Sequence, residues 1–160
     1  MPVFLRIQIE MKNKIVDDLA KANTGFSVGL PAILLSENVV KKLAPIQTLA
    51  YITLEVATQT QFMFHYLGKA IVRVIEEDKT SEGMAYALYY PGKNYSLIGD
   101  ALLDELGVIL LEPGKGYWKF KYPENIIRKT AYMQKIHTKR QTTKNPQTPR
   151  KTRKNCAPIQ

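Results

Sequence analysis

One cysteine, two histidines and no long apolar run set the first limits on this chain. The single Cys156 lies in a polar C-terminal stretch, so neither a disulfide framework nor a cysteine-based zinc site can be built within one chain. His65 and His137 are far apart and neither sits in a ligand-spaced cluster, which argues against a bound metal. No segment approaches the roughly 20 consecutive apolar residues that span a bilayer, and MPVFLRIQIEM lacks the features of a signal peptide. A soluble, cytoplasmic protein without membrane contact or cofactor is expected. A Gly-rich phosphate loop and a Ser or Cys nucleophile motif are missing too, and no histidine is placed by sequence for acid-base work.

What is present in excess is positive charge, and its location matters more than its size. The formal charge is +9, but ten of the 23 Lys and Arg fall between Arg128 and Lys154, and no acid follows Glu124. Residues 1–127 therefore hold 13 basic against 14 acidic groups, a net of about −1. With 160 residues, 45% of them hydrophobic, one domain with a real core is expected over 1–127, followed by a basic tail over 128–160. From about Ala131 the tail is too polar to offset the entropy of ordering, and reads as disordered or loosely helical at its start.

Within the body, FLRIQIEMK alternates apolar and polar positions as a strand does, and a second strand over Ile15 to Ala22 ends at Thr24-Gly25. After Pro31 come Ile33-Leu34-Leu35 and then Ser36, an N-cap for a short helix from Glu37 to Leu43 that closes before Pro45. Thr-, Val- and aromatic-rich runs predict strands near 49–57, 61–67 and 70–76, with hairpin turns at Thr58–Gln61 and Gly68-Lys69. A charged, flexible stretch is expected over Glu76 to Gly83, then a strand over Met84 to Tyr90. A helix follows over Asp100 to Leu106, and strands over Val108 to Glu112 and Tyr117 to Tyr122 flank a Pro113-Gly114 turn. Many short strands with one or two short helices make a mostly β, closed barrel.

Two separated elements carry the chemistry: Asn23-Thr24-Gly25-Phe26 at a strand end, and Leu97-Ile98-Gly99-Asp100 leading into a helix. Taken alone, Thr24-Gly25 is an ordinary turn and Ile98-Gly99 an ordinary strand-to-helix corner. Together, in order and with strands between, they resemble the bacterial and archaeal relatives of retropepsins, the aspartic protease group marked by Asp-Thr-Gly-Phe. Leu30-Pro31, the helix up to Leu43, the hairpin that precedes Leu97-Ile98-Gly99 and the turn Glu112-Pro113-Gly114 fit the same order, over roughly residues 3–122.

That resemblance implies a retropepsin-like barrel subunit in a homodimer, in which two carboxylates meet on the dimer axis, share a proton and activate a water against a peptide bond. Asn23 stands where the family has its aspartate, and a carboxamide cannot take a proton from water. Symmetry would then leave no carboxylate at the axis, so the chain as written is expected to be inactive. An engineered replacement, a naturally inactive relative and a wrong family assignment would each account for the amide. By the same resemblance Thr24 holds the two loops together, Gly25 admits the substrate backbone, and Phe26 matches the cellular group. Ile98 and Gly99 serve the structure. The cleft walls would come from Phe26, Ser27, Thr58, Gln59, Tyr95 and Leu97, with a hairpin tip, Ala57 to Thr60, that lacks the glycines of viral flaps.

His65 and Tyr66 read as a half-exposed strand pair, and Trp118 as core or dimer packing. The basic tail has an alternative use. If the body is only a dimerisation module, the tail could bind nucleic acid or an acidic partner through its charge, although it carries no interleaved aromatics for base stacking.

Overall fold

The computed structural model describes residues 2–22, 26, 28–55, 59–122 and 125–131. Strand β1 (Phe4–Met11) buries Leu5, Ile7, Ile9 and Met11 and turns the intervening polar side chains outward, the alternation its sequence spells. It pairs antiparallel with β2 (Lys14–Ala22) across a two-residue turn. Lys12 and Asn13 both take positive φ there, 49° and 63°, the backbone that matches the twist of a tight hairpin.

Then follow β3 (Ala32–Leu35), α1 (Glu37–Leu43), β4 (Ala50–Glu55), β5 (Gln61–Ile75), β6 (Thr80–Tyr89), β7 (Ser96–Ile98) and α2 (Asp100–Leu106). The strands run β1-β2-β7-β3-β6-β5, and β5 pairs back onto β1, so six strands close a barrel and β4 hangs on the far half of β5. This mostly β barrel with two short helices is the architecture the sequence implies. Ser36 caps α1, accepting a hydrogen bond from the Val39 N–H at 3.3 Å. Gly107, at φ 65°, ends α2 in the left-handed conformation that glycine adopts freely. Leu102, Leu103 and Leu106 of α2 close one end of the core.

Three expectations are corrected. Gly68-Lys69 is no hairpin: β5 runs unbroken through it, and the register shifts by a bulge between Tyr66 and Gly68. Gly68 takes φ 116° there and faces the Met11 and Leu49 side chains. Nor is Glu76 to Gly83 a flexible stretch. It is a tight turn, with the Glu76 N–H on the Lys79 carbonyl at 2.9 Å, and β6 is in full register from Thr80. Its charges are satisfied across strands, Arg73 reaching Glu82 at 2.7 Å and Glu10 at 2.6 Å.

The third correction concerns the boundary of the body. Strands β8 (Val108–Glu112), β9 (Tyr117–Phe120) and β10 (Arg128–Lys129) make a second, three-stranded sheet. Residues 128–131, assigned by charge to the tail, are therefore folded. Arg128 forms a two-pronged bond with Asp78 at 2.7 Å on each arm and lies over the ring of Phe120, while Thr130 is fully buried. The remainder of the tail, 132–160, lies outside the described residues. Among the described residues no helix is long and apolar enough to cross a membrane.

Candidate functional site

The end of β2 is held on two sides. Ala22 donates its N–H to the Val3 carbonyl at 2.9 Å, and it pairs in parallel with Ile98 of β7. Strand β7 is wedged between β2 and β3, with Ile98 opposite Ile33 and Leu97 opposite Leu34. The strand leading into the Asn23 loop and the strand leading out of it thus flank the three residues before Gly99. Asn23, Thr24, Gly25, Ser27 and Thr58 themselves lie outside the described residues.

Gly99 is where the two sequence elements meet. A Cβ there would lie 2.6 Å from the Phe26 carbonyl oxygen, closer than a side chain can stand to backbone, and 3.1 Å from a ring carbon of Phe26. Its N–H donates to the Ala32 carbonyl at 3.2 Å. The backbone at Phe26 and at Ala32, both on the C-terminal side of position 23, therefore rests on this one glycine. Ile98, fully buried, anchors the strand beside it.

Leu97 faces the other way, into a second apolar cluster. Ala32, Leu34, Phe64 and Leu88 form its buried floor, and Phe26, Val28, Ile52, Leu54, Phe62 and Tyr90 are packed on it, half-buried. The rings of Phe26 and Phe64 lie 6.5 Å apart, and Tyr90 touches Phe64 at 5.5 Å and Phe62 edge-on at 5.7 Å. This is an aromatic wall built in part by the β4–β5 hairpin, whose side chains Ile52, Leu54, Phe62 and Phe64 belong to it. At the hairpin tip Gln59 is exposed and takes φ 61°, left-handed backbone that most hairpin tips give to glycine.

The structure thus brings Phe26, Leu97, Ile98 and Gly99 together, sets Gln59 just before β5, and takes Tyr95 elsewhere. The Tyr95 ring stands edge-on to Phe4 at 5.4 Å, with the Lys21 ammonium 6.0 Å from its centre. It lines a groove of about 670 Å³ with Arg6, Asp17, Asp18 and Asn38, on the β1–β2 side of the barrel, rather than the aromatic wall. Phe62, Phe64 and Tyr90, which do make the wall, were not singled out by sequence. Their signal is the strand register: Phe62 and Phe64 alternate with Met63 and His65 on opposite faces of β5.

A buried polar knot supports β7 from behind. Ser96 and Ser36, both fully buried, donate their hydroxyls to the same Asp18 carboxylate oxygen at 2.6 and 3.2 Å, and the Ser36 N–H donates to Ser96 Oγ at 3.1 Å. Asp18 is thereby spent on structure. Asp100, the first residue of α2, keeps one carboxylate oxygen buried without a partner among the described residues. His65 sits between Tyr51 and Tyr89 in a cross-strand row and bonds Thr48 through Nδ1 at 2.9 Å. Trp118 is a core residue, its indole N–H on the Lys129 carbonyl at 3.3 Å. No group of three or more His, Cys, Asp or Glu among the described residues is arranged to hold a metal.

No family model matches the chain, and no curated protein sequence does. Among solved structures, the chain is similar to the crystal structure of the retroviral protease-like domain of Ddi1 from Leishmania major, at 10% identity and a TM-score of 0.44, covering 79% of this chain and 93% of that one.

Proposed function

We propose that this chain is one subunit of a retropepsin-like aspartic endopeptidase, and that Asn23 leaves the site built but without its proton-transfer chemistry. The observation that carries the reading is the contact of Gly99 with Phe26: two motifs distant in sequence share one corner of the barrel, next to an aromatic wall built in part by a hairpin. The resemblance pairs the same two elements, the catalytic loop and the apolar-apolar-Gly segment, in one subunit.

In the active form, one Asp from each subunit meets its copy. Like charges at about 3 Å cannot both ionise, so the pair holds one proton, and one carboxylate draws a proton from water while the other protonates the carbonyl oxygen of the peptide. An extended peptide would lie alongside this wall, its apolar side chains against Phe26, Leu97 and Phe64. With Asn23 on both sides neither proton transfer is available. Shape is expected to survive, since Asn is nearly isosteric with Asp.

The test is Asn23→Asp. The purified variant is expected to cleave an unstructured protein such as casein with a mildly acidic optimum, and to be inhibited by a statine-type peptide. A folded, dimeric Asn23→Asp protein that cleaves nothing across a broad pH range would end this reading.

A second reading, a non-catalytic dimerisation module, is favoured by a different observation: residues 132–160 carry eight Lys and Arg and no acid. Phosphate neutralisation by that segment would give nucleic-acid affinity that falls steeply with salt and disappears when 132–160 are removed. Affinity that survives the deletion would count against it.

A further inference from the structure

The aromatic wall is bordered by two lysines. Tyr86 and Leu88 on β6, and Tyr90 just past it, alternate with Ala85, Ala87 and Tyr89, which pack on the main core, so the first three share the face that carries the wall. The Lys69 ammonium stands 5.7 Å from the centre of the Tyr86 ring, and Tyr86 meets Tyr66 of the wall at 6.0 Å. The Lys93 ammonium stands 6.0 Å from the centre of the Tyr90 ring, which touches Phe62 and Phe64. Tyr86 and Tyr90 are four residues apart, roughly 13 Å along a strand, with a lysine at each border. Neither lysine is ion-paired with an acid among the described residues. Glu37, whose N–H the Lys93 carbonyl holds at 3.0 Å, spends a carboxylate oxygen on the Gly92 N–H at 2.8 Å.

We propose that this wall binds an extended peptide with an apolar centre and an acidic side chain at either end, and that the chain with Asn23 holds such a peptide without cutting it. The inference rests on the endopeptidase reading above, from which it takes the extended peptide, and adds the flanking charges. Along an extended peptide, side chains i, i+2 and i+4 face one way and span roughly 13 Å, the same length as Tyr86 to Tyr90. Carboxylates at i and i+4 would thus reach Lys69 and Lys93, while the apolar side chain at i+2 lies on the surface between them.

Charge complementarity selects acids for the two ends. An ammonium over a ring keeps its charge unneutralised, so a carboxylate adds an ion pair without giving up the ring contact, whereas a cationic end meets like charge at both borders. Single-stranded nucleic acid is anionic too, but its bases stack on open ring faces. Here the rings are engaged with one another, Tyr90 with Phe62 and Phe64, and Tyr66 with Tyr86. Beside them the half-buried surface is aliphatic, at Val28, Ile52, Leu54 and Leu97, which suits the side chains of a peptide.

The test is fluorescence anisotropy of short labelled peptides on the full-length chain with Asn23 in place, with circular dichroism as the check on folding. A peptide with Glu at both ends of a Leu-Val-Phe centre is expected to bind about tenfold tighter than its Gln counterpart at low ionic strength, and the gap to close in about 1 M salt. A Glu peptide with a Ser-Gly centre, which reads only the pull of the basic segment 132–160, is expected to bind more weakly than the apolar one. Lys69→Glu combined with Lys93→Glu is expected to leave the Gln peptide unaffected and to turn the preference toward Lys ends. Should that pair disturb folding, Lys69→Gln and Lys93→Gln singly are each expected to shrink the Glu preference about threefold. A Glu preference that survives every replacement belongs to the basic segment and would overturn the inference, as would a chain that binds none of the peptides. An oligothymidine whose affinity falls with the two replacements while that of the peptides does not would overturn it in favour of nucleic acid. Cleavage by Asn23→Asp with no preference for acidic ends would overturn it and leave the endopeptidase reading intact. Selective binding by the chain with Asn23, with no cleavage by Asn23→Asp, would end that reading and leave the binding surface in place.

Discussion

Gly99 and the Phe26 carbonyl stand so close that a methyl group on Gly99 would come within 2.6 Å of that oxygen. The obstacle is backbone, not the yielding end of a side chain, so Gly99→Ala must push the loop away from β7 or shift α2. Overpacking of this kind costs about 1–3 kcal/mol. The expected outcome is a lowered urea midpoint with little change in slope. In the Asn23→Asp background it is a loss of cleavage larger than the loss of folded protein, because the displaced segment holds position 23. Unchanged stability and activity would mean that the corner yields to a methyl group without cost.

Gln59 supports a contrast rather than a single value. A non-glycine residue held at positive φ costs on the order of 1 kcal/mol, and a glycine there loses a similar amount through chain entropy. Gln59→Gly is therefore expected to stay within about 1 kcal/mol of the parent, while Gln59→Val, β-branched at the same φ, loses more than about 1 kcal/mol. Thermal melts of the two variants side by side check this. Equal melting temperatures would place the tip in ordinary backbone.

Much of this was legible because the signals are local. Ser36 announces α1, and the alternation of Leu5, Ile7 and Ile9 gives β1 and its buried face. What escaped depends on partners distant in sequence. Arg128 looks like the start of a basic tail until Asp78, fifty residues earlier, is found in a two-pronged bond with it. Gly68 carries the same local signal in a bulge as in a turn, and only pairing with β6 decides between them. Tyr95 was grouped with Leu97, but it lies just before β7, where strand alternation no longer sets its direction, and Phe4 claims its ring.

The Asp78–Arg128 bond predicts a pH dependence. The hydrogen bonds from Arg128 hold the Asp78 carboxyl below its usual range. A group whose pKa is depressed by folding contributes stability that is fully present above its unfolded value, about 3.9, and is lost as pH falls through the folded value. Glu76, raised by burial and in smaller part by Asp78, acts in the opposite sense: its protonation favours the folded state, and removing the Asp78 charge weakens that opposing contribution in the variant. Asp78→Asn is therefore expected to melt below the parent at pH 7 and to converge with it in strong acid. A gap that stays constant from neutral to acid pH would assign the contact no electrostatic part.

Ser96 offers the sharpest separation between a hydroxyl and its surroundings. Its Oγ donates to Asp18 and accepts from the Ser36 N–H, at a site closed to water. Ser96→Ala leaves a buried N–H without its acceptor and removes one of the two hydroxyls on Asp18, at a cost of about 1–3 kcal/mol. Asp18→Asn is gentler, because the amide oxygen can still accept from both serines if it faces them; about 1 kcal/mol is expected. Because Ser96 opens β7, the alanine variant should also loosen the pairing of Ala20 with Ser96. Hydrogen exchange at the Leu97 and Ile98 amides would then speed up more than exchange in β1, whereas uniform acceleration across the barrel would show only a general loss of stability.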